Sequence, residues 1–373
     1  MNKKKLNILV PLAALLLLLL SSCSFIFDDY PEDEDHMKAI IMLSLDGDKV
    51  TTRGGDLFVD DAIVGKVRII VFDNGTLEKN QLFTSNTDEF KNPFRVQVEP
   101  GTKNIYVIAN ETTNLKTSLA ATGLTETGLK AIMADDISES NLISSPLVMT
   151  GETQSILLEP GLQQKPVTLK RVAAKINLQF KKDTDAEVKI TKVSLLKNTT
   201  KSTLWEGSSV TYTQGYWSHS QSTEMTLDES LNDYLTVYVY ENLGNSANNK
   251  ANATQLEVEA IYNGLPSIYR VYVNENVTSV VNAGDPSSSV TDPSDHLYNI
   301  KRNYEYNLNG TISALGDFQG LTIFTAVQPW TGENKTYFVG YGYTVEVDGN
   351  KVTVSNHDED CPPHLIKLVH LVD

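Results

Sequence analysis

The residue best equipped for covalent chemistry is Cys23, which closes the run Leu20-Ser21-Ser22-Cys23. Ahead of it stand Lys3, Lys4 and Lys5 and an apolar stretch from Ile8 to Leu20. A charged segment, a short apolar segment and small residues before a cut site make a secretory signal. A cysteine directly after the small residues is the bacterial lipobox. Its thiol takes a diacylglyceryl group, the signal is cut before it, and the new amino group is usually acylated too. Two or more acyl chains anchor a protein stably, where one gives only marginal binding. The apolar stretch falls short of the ~20 residues that a membrane span needs. A second position invites a different reaction. Arg53 precedes Gly54-Gly55, a flexible backbone that reads as exposed and open to proteolysis.

Other reactive groups form no recognisable centre. The histidines are His36, His219, His296, His357, His364 and His370. His357-Asp358-Glu359-Asp360-Cys361 with His364 holds metal-ligating types, yet their spacing fits no strong ligand pattern, so the segment reads as a solvated acidic loop. The chain has no Gly-x-Ser-x-Gly elbow, His-Glu-x-x-His helix, phosphate loop or dinucleotide fingerprint. No enzyme activity, metal or cofactor is expected. Asp60-Asp61 and Asp135-Asp136 read as surface pairs in loops. Trp205, Trp217 and Trp330 read as buried anchors in preference to a glycan-stacking surface.

The 31 basic and 47 acidic residues give a net charge of −16, which excludes the basic footprint of a nucleic-acid binder. The two cysteines are Cys23 and Cys361. With the first committed to lipid, no internal disulfide holds the fold, and stability must come from apolar burial and sheet hydrogen bonds. Short alternating runs of Tyr, Thr, Val and Ile, punctuated by Asn-Gly and Asp-Gly, give an all-β profile. The length without residues 1–22 suits two domains.

The elements that position Cys23 and Arg53 begin with an acidic tether. Asp28, Asp29, Glu32, Asp33, Glu34 and Asp35 repel one another and keep residues 24–36 extended. Residues 38–45 then read as a strand, with Ile41, Leu43 and Leu45 on one face and Ile40 and Met42 on the other. Asp46-Gly47-Asp48 turns the chain ahead of Arg53. Strands follow at 67–72, 94–98 and 104–109. Leu115, Leu119, Leu129, Ile132 and Met133, interrupted by Gly123 and Gly128, predict one or two short helices over 113–134. The strand pattern resumes at 147–149, 156–158 and 167–169.

Pro160, Gly161 and Pro166 place a domain boundary near 166. A second set of strands is expected at 172–180, 187–196, 234–240, 255–261, 268–273, 303–312 and 321–329. Residues 241–254 and 282–297 read as exposed loops. Two tandem β-sandwiches fit this spacing. In the tail, Tyr337, Val339, Tyr341, Tyr343, Val345 and Val347 alternate over 337–347, and Asp348-Gly349-Asn350 returns the chain as a hairpin through Val352 and Val354. After Pro362-Pro363 comes an apolar terminus with Ile366, Leu368 and Leu371. Uncovered strand-forming tails are either an edge-pairing hazard or an edge-pairing device.

Several segments together resemble the fimbrillins, the type V pilus subunits of Bacteroidales. They are 67–73, Val107-Ile108-Ala109-Asn110, Val148-Met149-Thr150-Gly151, 169–176, 237–242, Arg302-Asn303-Tyr304-Glu305-Tyr306 and Val327-Gln328-Pro329-Trp330. The acidic stretch after Cys23 likewise resembles the surface-export signal of Bacteroidetes lipoproteins. The fimbrillin resemblance implies two transthyretin-like sandwiches, at 54–166 and 167–336. It also implies a signal peptide at 1–22, a propeptide at 23–53 and a C-terminal extension at 337–373.

The same resemblance implies a life history. The precursor sits on outer-membrane lipid through Cys23, and an arginine-specific protease cuts between Arg53 and Gly54. The placeholder strand with Ile41, Leu43 and Leu45 leaves. A strand donated by another copy or a related subunit fills the gap. Candidate donor residues are Tyr341, Tyr343, Val345 and Val347, or Ile366, Leu368 and Leu371. The subunit would end in a cell-surface fimbrium serving adhesion or biofilm formation. One alternative keeps the fold and changes the role, to an uncleaved anchor or an accessory or tip subunit; another, of a different class, is a surface glycan-binding lipoprotein. The hairpin and Pro-Pro tail extend beyond the usual family end after the Pro-Trp element.

Overall fold

The computed structural model describes residues 38–46, 63–282, 285–290, 294–316, 321–329, 336–338, 343–348 and 351–356. The first half contains β1 (Ala39–Asp46), β2 (Lys66–Asp73), β3 (Thr76–Thr84), β4 (Phe94–Val98) and β5 (Gly101–Ala109). Two helices follow, α1 (Thr113–Leu119) and α2 (Glu126–Lys130), then β6 (Met149–Leu158), β7 (Gly161–Thr168) and β8 (Lys170–Arg171). The strands form a three-stranded sheet, β4-β1-β7, and a five-stranded sheet, β3-β2-β5-β6-β8.

The five-stranded sheet is covered on both faces, so its central strand β2 is a continuous apolar run. Val67, Ile69 and Val71 face the three-stranded sheet with Ile105 and Val107. Ile70, Phe72, Tyr106 and Ile108 face the helices through Leu115, Leu119 and Leu129. Each helix starts at a threonine whose hydroxyl accepts a backbone N–H: Thr112 from Leu115 and Thr125 from Gly128. Asn74 and Gly75 both adopt positive φ, the twist that a two-residue hairpin between β2 and β3 requires.

The second half contains β9 (Ala173–Lys182), β10 (Val188–Thr199), β11 (Tyr216–Gln221), β12 (Met225–Thr226), β13 (Asn232–Tyr240) and β14 (Gln255–Tyr262). It continues with β15 (Leu265–Tyr272), β16 (Val277–Asn282), β17 (Asp285–Val290), β18 (Tyr304–Ile312) and β19 (Leu321–Pro329). One sheet runs β11-β10-β14-β15, with β12 also on β10; the other runs β13-β9-β18-β19-β16-β17. Alternate residues of both sheets meet in one core, with Ile176, Leu178 and Phe180 from β9 against Val193, Leu195 and Val258. A small third sheet joins β20 (Thr336–Phe338), β21 (Tyr343–Asp348) and β22 (Lys351–Asn356). The all-β class and the two short helices are as the sequence led us to expect.

Particular expectations change. The pattern at 147–149 and 156–158 belongs to one strand, β6, which bends at Ser155 in positive φ; Leu147 and Val148 precede it. Residues 241–254 are not simply an exposed loop. Asn242, Asn245, Ala253 and Thr254 are buried, and Asn242 Nδ2 donates to Asn252 O at 2.9 Å and Lys197 O at 3.2 Å. Amide side chains can cap loop carbonyls internally, so polar composition there does not mean exposure. Within 282–297, β17 and a 3-10 turn, Ser294–His296, replace the expected loop, and His296 is buried. The run 337–347 is not one strand: β20 folds back antiparallel on β21, with Tyr337 opposite Val345. Six strands escaped the pattern reading altogether, β3, β8, β11, β12, β16 and β17; β3, β8, β11 and β17 lie at sheet edges, where pairing satisfies the backbone without a long apolar face, and β16 is held between β19 and β17.

Candidate functional site

The three-stranded sheet holds the strand expected to matter most. β1 lies between β4, antiparallel from Ala39↔Val98 to Leu43↔Phe94, and β7, parallel from Ala39↔Gly161 to Asp46↔Thr168. Backbone groups on both sides of β1 are therefore engaged. Its inward side chains Ala39, Ile41, Leu43 and Leu45 are 0–2 % exposed. They pack on Val67, Ile69, Phe83, Phe94, Val107 and Val167. Burial of Ile41, Leu43 and Leu45 contributes about 1.5–3 kcal/mol each. Ile40 and Met42, on the opposite face, are buried too. A strand apolar on both faces reads as central, and this one is.

One side chain marks where the strand ends. Asn92 Oδ1 accepts the Leu45 N–H at 3.0 Å, and Asn92 Nδ2 donates to the Leu45 carbonyl at 3.3 Å. β4 stops pairing at Leu43, so Asn92 supplies on that side what a longer β4 would. The amide reads backbone only, and no sequence pattern flags it. A second local requirement falls on Gly151 in β6, where a Cβ would collide with the Thr168 carbonyl and crowd Val167 at the end of β7.

A second polar cluster joins the two halves. Arg302 Nη1 donates to Leu204 O at 3.1 Å, Nη2 to Thr203 O at 2.9 Å and Ser202 Oγ at 2.8 Å, and Nε to Glu241 Oε2 at 3.0 Å. Asn303 Oδ1 accepts the Arg171 N–H at 3.0 Å. Thr150 Oγ1 donates to Leu204 O, Trp205 Nε1 to Leu129 O, and the Tyr240 hydroxyl to Asp135 O. The segments 148–151, 169–176, 237–242 and 302–306, far apart in the chain, thus converge on one junction. Trp205 and Trp217 are buried there with Tyr106 and Tyr240, which removes them as a surface for glycan stacking; Trp330 lies outside the described residues.

Further buried ions are paired. Arg68 Nη2 meets Glu111 Oε1 at 2.8 Å, and Lys103 Nζ meets Asp73 and Glu78 at 2.8 and 2.7 Å. His296 is held down at about 4, by burial first and by the Lys301 charge second. Its Nδ1 lies 3.0 Å from the Tyr306 hydroxyl, which accepts the Lys301 N–H at 2.7 Å. Burial also raises the Tyr306 and Tyr106 phenols, the latter helped by the Glu126 carboxylate. Among the described residues, no three His, Cys, Asp or Glu side chains gather as a metal site would require.

Of the residues singled out in the sequence, Ile41, Leu43 and Leu45 stand together in β1, while Tyr343, Val345 and Val347 lie on β21. Cys23, Arg53, Gly54, Tyr341, Ile366, Leu368 and Leu371 lie outside the described residues. What the arrangement can do is mechanical. A strand is seated between two others, its inward side chains complete a core, and its backbone is gripped by groups indifferent to its sequence.

Comparison with known proteins agrees with this architecture. Residues 39–259 match the family model described as major fimbrial subunit protein (FimA). The chain is 34 % identical over 364 residues to the major fimbrium subunit FimC of Porphyromonas gingivalis, covering 94 % of this chain and 76 % of that one. Its fold is similar to a fimbrilin (FimA) from P. gingivalis W83, with TM-score 0.55 and 16 % identity over 79 % of this chain and 99 % of that one. It is similar also to the C-terminally truncated tip fimbrial protein Mfa3 from the same species, with TM-score 0.54 and 15 % identity over 79 % and 100 %.

Proposed function

Because the chain belongs to the major fimbrial subunit (FimA) family and is a structural component of a cell-surface fimbrium, we propose that it matures and assembles by exchange of β1. In this reading the precursor is exported as a lipoprotein and held on the outer membrane through Cys23. The tether 24–36 carries β1, which occupies its own slot as a placeholder. An arginine-specific protease cuts between Arg53 and Gly54, and residues 23–53 leave with the lipid. A strand from 337–373 of another copy, or of a related subunit, then fills the slot.

The observation that carries the reading is the seating of β1. It is gripped on both sides by β4 and β7, completes the inner core, and lies seven residues upstream of Arg53. An empty slot would leave paired backbone groups without partners, at roughly 1–3 kcal/mol each, and an apolar trough open to water. The incoming strand would therefore dissociate very slowly. The contact is head-to-tail and does not close, so it propagates as a filament. The two tandem sandwiches, meeting after β8 and not at the expected 166, would be the body between slot and donor. The role is structural rather than enzymatic.

N-terminal sequencing of the surface form tests this directly. The expected first residue is Gly54, and treatment of the purified precursor with an arginine-specific protease should give SDS-resistant ladders. A chain that begins at Cys23, keeps its lipid and stays monomeric after treatment would instead be the uncleaved anchor.

A further inference from the structure

The strand in the slot has a counterpart near the other end of the chain. Residues 43–51 read Leu-Ser-Leu-Asp-Gly-Asp-Lys-Val-Thr, and residues 345–353 read Val-Glu-Val-Asp-Gly-Asn-Lys-Val-Thr. Asp, Gly, Lys, Val and Thr recur in place, and aliphatic residues occupy the same alternate positions. β1 ends at Asp46 and β21 at Asp348, so the match also aligns the ends of two strands. An Asp-Gly pair after alternating apolar residues is a common hairpin signal. Turn chemistry alone accounts for the Asp and Gly, but not for the Lys-Val-Thr that follows.

We infer that residues 341–348 of a second copy of this chain are the segment that replaces β1, with Tyr341, Tyr343, Val345 and Val347 in the places of Ala39, Ile41, Leu43 and Leu45. The inference rests on the strand-exchange reading and fixes its donor and register.

The chemistry of the slot separates the two candidate donors. Its four inward positions are 0–2 % exposed. Any four alternate residues drawn from 364–373 include Lys367 or a histidine, His364 or His370. An ionisable group carried into an apolar core must lose its charge or its hydration, and either is expensive. Residues 341, 343, 345 and 347 carry no group that is charged near neutral pH, although the Tyr341 and Tyr343 hydroxyls would each need a hydrogen-bond partner. At three of the four positions the inner face trades one isoleucine for a larger tyrosine and two leucines for smaller valines, changes that offset in volume, while Tyr341 in the place of Ala39 adds a large ring for which the start of the slot must make room.

The polar grips agree with this register. Asn92 binds only the backbone N–H and carbonyl of Leu45, so it would hold Val347 in the same way. On the outer face Met42 stands opposite Arg95, with Gln97 and Gln164 nearby, all three of them exposed. Thr344 would take Met42's place, and Glu346 would fall diagonal to Arg95, within reach of its charge. The exchange does cost β21 its pairing with β20 and β22. Ladder bonds are replaced by ladder bonds to β4 and β7, which is nearly neutral, and the gain is the apolar face removed from water.

The test uses the full chain with Cys361→Ser in two preparations, one with Thr344→Cys and one with Arg95→Cys. They are mixed, cut with an arginine-specific protease and oxidised; Cys23 departs with the cleaved segment. The expected result is an SDS-resistant ladder in which peptide mapping finds a disulfide between positions 344 and 95, reversed by reductant. Companion Lys367→Cys and Leu368→Cys preparations should give no link to position 95. A chain ending at Asn356 should form ladders as the parent does. Ladders linked through 367 or 368, or ladders lost on truncation at 356 while the parent forms them, would overturn the inference and leave strand exchange standing. A parent chain that forms no ladder would overturn strand exchange itself.

Discussion

β1 and β9 are two strands with the same seat and, under the proposed exchange, opposite fates. Each lies inside a sheet, with a parallel neighbour on one side and an antiparallel one on the other: β7 and β4 for β1, β18 and β13 for β9. Each sends alternate apolar side chains into a core. Their outer faces differ. β9 is stitched to its neighbours by Asn177 Nδ2, which donates to Glu305 and Asn307, and by Gln179 Nε2, which donates to Asp233. β1 has Ile40 and Met42 there, which cannot make such bonds. β9 is also continuous with β8 before it and β10 after it, whereas β1 is joined to β2 through a segment containing Arg53. Under the proposed exchange, connectivity and lateral side-chain bonds, and not ladder pairing and burial alone, would decide which central strand is replaceable.

The junction beside β9 provides one of the largest expected effects. Arg302→Ala should leave the half-buried Glu241 without its cation and the Thr203 and Leu204 carbonyls without the arginine's N–H donors, costing about 2–4 kcal/mol in denaturant unfolding, equally in uncut and assembled protein. A loss below ~1 kcal/mol would show that the junction is incidental to stability. The two strands themselves are separated by paired truncations. Leu43→Ala and Leu178→Ala should each cost about 2–5 kcal/mol in the uncut chain. Only Leu178→Ala should weaken the assembled form, because Leu43 has left it. Equal weakening of the assembled form by both would mean that β1 never leaves.

Asn92 touches whichever strand occupies the slot, so Asn92→Ala should cost about 1–3 kcal/mol in both forms. An effect confined to the uncut chain would mean that the incoming strand sits out of register. The smallest effect belongs to the second half. An unfolded histidine takes its proton near 6.5, while folded His296 resists until about 4. Between those values the unfolded state binds more protons, so stability falls as pH drops from 6.5 to 4 and is unaffected above that window. The fall should be roughly 1–3 kcal/mol, and His296→Gln should abolish that portion while leaving strand exchange intact.

Much of the fold was legible where one physical signal dominated. The run 67–72 read as a strong strand, and Asp73-Asn74-Gly75 read as its end. The hydrophobic spacing of Leu115, Leu119 and Leu129 gave two short helices. Legibility failed where tertiary partners override composition. β3 is polar yet paired; within the largely exposed stretch 241–254, Asn242 and Asn245 are buried because their amides bond inward; and 337–347 alternates as one strand yet folds into two. At the site, Ile41, Leu43 and Leu45 could be read as one face of a strand, but Asn92 had no signature, since an amide that binds backbone can follow any sequence.

The sequence by itself determined the strongly apolar strands, that β1 is apolar on both sides, and that a similar stretch recurs at 345–353. These follow from side-chain periodicity and turn chemistry, which are local. Only the tertiary structure decided that β1 lies between β4 and β7, in which directions, and that Asn92 fixes its end. It also decided that motifs from four distant segments meet around Arg302. Those are pairings across long stretches of chain, and their energy resides in contacts that no local pattern encodes.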